Sequence, residues 1–281
     1  MTGIEPGQRA HAAARLMNRR QLLLVGCAAA LCGSSARVQA QASSAPLPGT
    51  DVAATSQSPG QPTSLFATAT PGGPLPPGWH EQRIRSIEGN RFQMVPGPAG
   101  TVLRIDSSRS ASSLVHRLPA GQRPTRLAWR WRTDAWPSTS GAFGQKAGDD
   151  FSLRLYLMFD YPMARVPTGQ ALALRMARAL YDPTLPAATL CYVADPRVPA
   201  GTLMASPYTG RVQVMVIRSS AQPGAWWDED RDLGADFQQA FGAEYGPGMP
   251  PLAAVALAAD TDQGGASLSS WFSDLRWSTA R

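Results

Sequence analysis

Four aspartates fall in two short groups, Asp149 with Asp150 ahead of one strand-like run and Asp260 with Asp262 after another. Paired carboxylates can supply the acid and base that cleave a glycosidic bond, or coordinate calcium together with backbone carbonyls. Both uses demand a spatial separation that chain spacing does not set, and capping of turns at strand ends is a third use of the same residues. Asp260-Thr261-Asp262 opens like a calcium loop, but the later glutamate is missing, which excludes an EF-hand. Arginine and aromatic residues form a second constellation. If residues 125–133 pair beside residues 151–161, then Arg130, Arg132 and Arg154 share a surface with Tyr156 and Asp160. Planar donors and ring faces suit carboxylates or sugars, and a solvated face laced by ion pairs is the alternative. Trp226 and Trp227 precede an acidic run, 228–232, in what reads as a loop, where indoles either stack on sugar rings or plug the end of the fold. The candidate ligand-binding set is therefore Arg130, Arg154, Tyr156, Asp160, Asp149, Asp150, Trp226, Trp227, Asp260 and Asp262.

No catalytic residue is assigned, because the motifs of common catalytic machinery are missing. The sequence has no G-x-S-x-G elbow, H-E-x-x-H pair, paired CxxC or phosphate-binding glycine loop. His80 and His116 are too few for a histidine metal cluster, and His116 reads as structural. Cys191, between Leu190 and Tyr192 in an apolar run, reads as a buried thiol. No cofactor is expected, calcium being left open.

The elements that position these residues read as strands. Along 151–161 the period of two sets Phe151, Leu153, Leu155, Leu157 and Phe159 on a core face and Ser152, Arg154, Tyr156, Met158 and Asp160 on the other. Leu127, Trp129 and Trp131 alternate with Arg126, Ala128, Arg130 and Arg132 in the same way. Further strands are predicted over 91–95, 101–107, 112–118, 189–194, 211–219, 252–259 and 270–278, with Pro-Gly, Glu-Gly-Asn and Gly-Gly turns between them. In 252–259 Val255 and Leu257 face inward, and the outward row Ala254, Ala256 and Ala258 leaves room for a ligand or an overlying loop. The spacing predicts an all-β fold, a two-layer β-sandwich of jelly-roll type, with two short helices. One helix spans 169–181, capped by Thr168, with a packing stripe of Leu172, Met176 and Leu180; the other spans 233–241.

Residues 1–40 read as a bacterial signal peptide: Arg19 and Arg20 precede an apolar, alanine-rich run, with small-residue cleavage sites near Ala40 and Ala42. The string 18–23 fits either twin-arginine export or an ordinary secretory signal. Counted from Met17, the apolar run before Cys27 is too short for a lipoprotein signal, so lipid anchoring is not expected. Residues 41–75, rich in Pro, Ala, Ser and Gly, read as a disordered linker ahead of a domain over 76–281. The formal charge is +6, and the leader holds Arg9, Arg15, Arg19, Arg20 and Arg37 against Glu5, so its removal leaves +6 − 4 = +2. That charge, with no basic run, excludes nucleic acid as the partner. The mature chain keeps Cys191 alone of three cysteines, so no internal disulfide forms, and it holds no transmembrane span.

Six ordered blocks carry a family likeness: GDDFSLRLYLMFD (148–160), 190–193, 206–209, 227–233, ADTDQGG (259–265) and 271–275. Over about residues 76–277 they resemble the bacterial domain of unknown function 3047. The resemblance implies an exported protein, and the strand 273–277 is similar to the last strand of galactose-binding-like jelly rolls. It also implies tryptophan where this chain has Ala194 and asparagine where it has Gln263, so a ligand touching either position meets altered chemistry here. The expected function is a periplasmic or secreted, non-catalytic binder of a glycan or other polar ligand. A polysaccharide hydrolase or lyase using the aspartates and an envelope protein-interaction domain are the alternatives.

Overall fold

The computed structural model describes Phe66 and residues 69–180, 183–220 and 222–278. The elements in chain order are β1 (Trp79–Arg83), β2 (Arg91–Gly97), β3 (Gly100–Ser108), β4 (Ala111–Arg117), β5 (Arg126–Thr133), β6 (Arg154–Phe159), α1 (Thr168–Leu180), β7 (Ala188–Ala194), β8 (Leu203–Ser206), β9 (Thr209–Arg218), β10 (Trp227–Asp232), α2 (Leu233–Tyr245), β11 (Leu252–Asp260) and β12 (Ser267–Ser278). They form a two-layer β-sandwich of jelly-roll type. One sheet has the order β1-β4-β11-β6-β7-β9-β8 and the other β10-β5-β12-β3-β2. Strands β11 and β12 each lie inside their sheet, β11 between β4 and β6 and β12 between β3 and β5.

The alternating residues fill the space between the layers. Leu127, Trp129 and Trp131 of β5 meet Leu155 and Leu157 of β6 and Val255 and Leu257 of β11 in one core. Trp129 stacks on Tyr192 of β7 at 5.5 Å and 18°. The Tyr192 hydroxyl donates to Asp236 at 2.6 Å, and Arg231 forks onto the same carboxylate, so the buried phenol and the acid are both satisfied. Phe237 and Phe241 pack 5.5 Å apart and seat α2 against Phe159 and Tyr161.

Five expectations are corrected. First, β5 pairs with β10 and β12, not with β6, so Arg130 lies in one sheet while Arg154 and Tyr156 lie in the other, with Asp160 just past the end of β6. The four do not share a face. Second, the outer face of the seven-stranded sheet is not polar and solvated. Tyr156, Met158, Cys191, Val193, Val214, Ala254, Ala256 and Ala258 are buried there in a second apolar cluster that includes Phe151 and Tyr208, with Phe143 packed against it. Burial pushes the Cys191 thiol up to about 12, as an inert core residue requires. Third, α1 buries Ala171, Leu174 and Ala177, whereas the predicted stripe Leu172, Met176 and Leu180 faces water. The three buried side chains join the core cluster between the layers. Fourth, residues 227–232 form an edge strand, not a loop, because their acids find cross-strand partners: Asp228 pairs with Arg130 at 2.8 Å and Asp230 with Arg126 at 2.9 Å. Fifth, the linker ends before residue 75. Phe66 is fully buried against Trp79, the Ala69 carbonyl accepts from Thr101, and the Gly72 N–H donates to the Met94 carbonyl. The signal peptide and most of the linker lie outside the described residues.

Near this N-terminal junction His116 lies 5.0 Å from Trp79 and stacks at 6.3 Å on Trp277. Burial holds His116 below the ordinary imidazole value, and it does the same at His80, where Arg117 adds to the effect. The fold resists a proton that the unfolded chain accepts. The stability they contribute is therefore present above the unfolded value of about 6.5 and lost as pH falls through the folded values. The thermal midpoint is expected to drop as pH falls below about 6.5, and His116→Gln should flatten that drop. A midpoint profile identical in wild type and variant would show that His116 does not set the response.

Candidate functional site

The carboxylates gather where the loop before β6 meets the end of β11. Arg154, 2% exposed, points into them. Its Nε and Nη2 donate to the two oxygens of Asp260 at 2.8 and 2.9 Å, and Nη2 also donates to the Asp149 carbonyl at 2.6 Å and lies 3.3 Å from the Asp149 carboxylate. Burial opposes the guanidinium charge, and the Asp149 and Asp260 carboxylates more than offset it, so its pKa stays well above the ordinary value. Asp260 also accepts the Phe151 N–H at 3.1 Å. Asp150, fully buried, accepts the N–H groups of Gln263 and Gly264, the latter at 2.6 Å, and so clamps the turn after β11. A side chain at position 264 would strike the Ser138 carbonyl, which accounts for the glycine.

Carboxylate oxygens of Asp150, Asp260 and half-buried Asp262 all lie within 4.8 Å of one another. This donor set does not suit calcium, because both oxygens of Asp260 are already held by a buried guanidinium. Nor does it make an acid–base pair, since Asp260 is ion-paired and Asp150 is an acceptor for backbone. The cluster is a clamp that joins β6, β11 and the turn 261–265. Beside it a cavity of about 170 Å³ is lined by Trp136, Pro137, Asp150, Phe151, Asp195 and Arg197 among others. Trp227 is 8% exposed and stacked at 4° on Trp136, so it backs that lining residue and is not part of an exposed platform. Asp195 takes the Arg197 fork at 2.6 to 3.0 Å.

A half-buried set of arginines and indoles lies on the outer face of the five-stranded sheet. The alternation that sends Trp129, Trp131, Leu103, Ile105 and Phe272 inward sends Arg130, Arg132, Arg104 and Trp271 outward. Register then makes one row across three strands, because Trp271 of β12 faces Arg132 of β5 on one side and Arg104 of β3 on the other. The Trp271 ring centre is 4.5 Å from the Arg132 guanidinium and 5.6 Å from that of Arg104. At the edge, Trp226 lies 5.5 Å from Arg130. Arg104 is paired with Asp106 at 2.7 Å and Arg130 with Asp228. Among the described residues Arg132 has no carboxylate partner, and its Nε is buried with no hydrogen-bond acceptor.

Of the predicted ligand residues, the structure thus brings together Asp149, Asp150, Asp260 and Asp262 around Arg154, and separately Arg130 and Trp226. Tyr156 and Trp227 are buried, and Asp160 is exposed near a small cavity lined by Arg117 and Arg178. Arg104 and Trp271 were missed as partners of Arg132. Their signal was present, since Trp271 alternates with Ser270 and Phe272 and Arg104 with Leu103 and Ile105.

Among solved structures the chain is similar to the family 11 carbohydrate-binding module of the cellulosomal cellulase Lic26A-Cel5E of Clostridium thermocellum, at 7% identity and TM-score 0.37, covering 78% of this chain and 94% of that one. It is also similar to the catalytic domain of Humicola grisea Cel12A, at 11% identity and TM-score 0.37, covering 70% and 93%. A third is the xyloglucanase domain of NopAA from Sinorhizobium fredii, at 7% identity and TM-score 0.36, covering 72% and 94%. No curated protein matches the chain. The family described as protein of unknown function (DUF3047) matches residues 77–276, and the chain belongs to that family.

Proposed function

We propose that the protein is an exported, non-catalytic binder of acidic glycan, and that the outer face of the five-stranded sheet is its binding surface. The observation that carries this reading is the Arg132-Trp271-Arg104 row, in which an indole packs between two guanidiniums and one of them, Arg132, has no carboxylate partner among the described residues. An arginine packed against an aromatic ring loses less freedom when it meets a ligand carboxylate than one extended into water. Arg130 and Trp226 extend the surface toward the sheet edge. The carboxylate clamp around Arg154 offers no free acid and base, which favours binding over turnover. Export rests on the arginine pair, apolar run and small-residue sites of the leader.

Binding is tested by titrating a polyuronate, a neutral glucan and a DNA oligomer against wild type, Arg132→Ala and Trp271→Ala. Polyuronate should bind best, and each substitution should weaken it by about 1–3 kcal/mol, as the loss of charge-assisted hydrogen bonds does, with little change in thermal midpoint. Equal affinity in wild type and both variants would remove this face from the reading. Release of reducing ends that is lost in Asp150→Asn would replace the binder with a hydrolase.

A further inference from the structure

Of the large apolar side chains exposed among the described residues, three lie on one helix: Leu172 at 62%, Met176 at 50% and Leu180 at 63%. The fourth is Met204 at 40%. Spaced by four, the three form a single stripe on α1, opposite the face that buries Ala171, Leu174 and Ala177 on the sandwich. A helix that packs on a globular core needs one apolar face, and this one has two. The outer stripe contributes nothing to the core, so folding does not account for it. Within the helix itself the charge has one sign. Residues 168–180 include no acid, and exposed Arg175 flanks the stripe, while Arg165 ahead of the helix is held by the Tyr245 carbonyl and ring. The Arg178 head is turned away, donating to the Leu185 carbonyl.

We propose that α1 is a membrane-interface helix, lying on an anionic lipid bilayer with Leu172, Met176 and Leu180 in the acyl boundary and Arg175 at the headgroup phosphates. An exposed apolar stripe flanked by an arginine, on a helix with no carboxylate, is the composition that such a surface selects. A second copy of the chain fits less well. Antiparallel pairing centred on Met176 brings the two Arg175 side chains together near the axis, with no acid on either helix to receive them. Three side chains make a weak, reversible anchor. It would concentrate the glycan-binding domain at a surface without fixing it there.

Co-sedimentation of the full chain with phosphatidylglycerol–phosphatidylcholine vesicles, against phosphatidylcholine alone, tests this. Every variant keeps residues 1–65, so whatever that segment adds is common to all of them. Partitioning onto anionic vesicles should fall about tenfold in the triple variant Leu172→Ser, Met176→Ser, Leu180→Ser, and about threefold in Arg175→Glu, which guards against a folding defect in the first. Thermal midpoints should not fall, since none of these side chains is buried. Equal partitioning of wild type and both variants would overturn the proposal. So would a wild-type dimer on gel filtration that the triple variant converts to monomer while vesicle binding is unchanged.

Discussion

Arg154→Ala should lower the stability of the domain by about 3–5 kcal/mol, enough to leave a marginal fold largely unfolded. The loss would not come from a missing attraction alone. Asp260 is 3% exposed, and without the guanidinium its charge stays buried. Arg154→Lys keeps the charge but cannot fork across both Asp260 oxygens, so it should recover only part of the loss. Replacing the ion pair with Arg154→Met and Asp260→Leu together should cost less than Arg154→Ala, because the buried Asp260 charge goes with its partner. Urea unfolding of the four proteins measures this. An Arg154→Ala variant with wild-type stability and weakened glycan binding would return Arg154 to the ligand site.

Phe66→Ala should cost about 3–5 kcal/mol, a core-sized loss from a segment whose composition reads as linker. Its ring is fully buried, 5.2 Å from Trp79, which in turn packs on His116. The same substitution at a linker residue would be silent. A change below about 1 kcal/mol would move the start of the folded domain back toward residue 76.

Strand positions were legible because their signal is local. Leu127-x-Trp129-x-Trp131 and Leu153-x-Leu155-x-Leu157 declare a face regardless of what they meet. Pairing is not local. β5 and β6 carry equally good alternation, and nothing within either says that β12 lies beside one and β11 beside the other. The failure at Arg154 and Tyr156 has the same root, since period two says that they point away from the core but not that Phe151, Tyr208 and Phe143 roof that face. Helix α1 holds two apolar stripes, and the larger residues named the wrong one, because side-chain size does not reveal which stripe meets the core. The carboxylate cluster was legible as residues but not as a clamp. Its meaning depends on Arg154, which binds Asp260 from a distant strand.

The interior placement of β11 and β12 ties folding to the order of synthesis. Until residue 252 has been made, β4 and β6 have no partner between them, and β3 and β5 stand apart until β12 follows. Neither sheet can close strand by strand as the chain emerges. Both halves of each sheet must wait with open edges, the condition in which strands recruit one another between molecules. A nascent chain of this design carries those open edges until the two strands arrive to close the gaps.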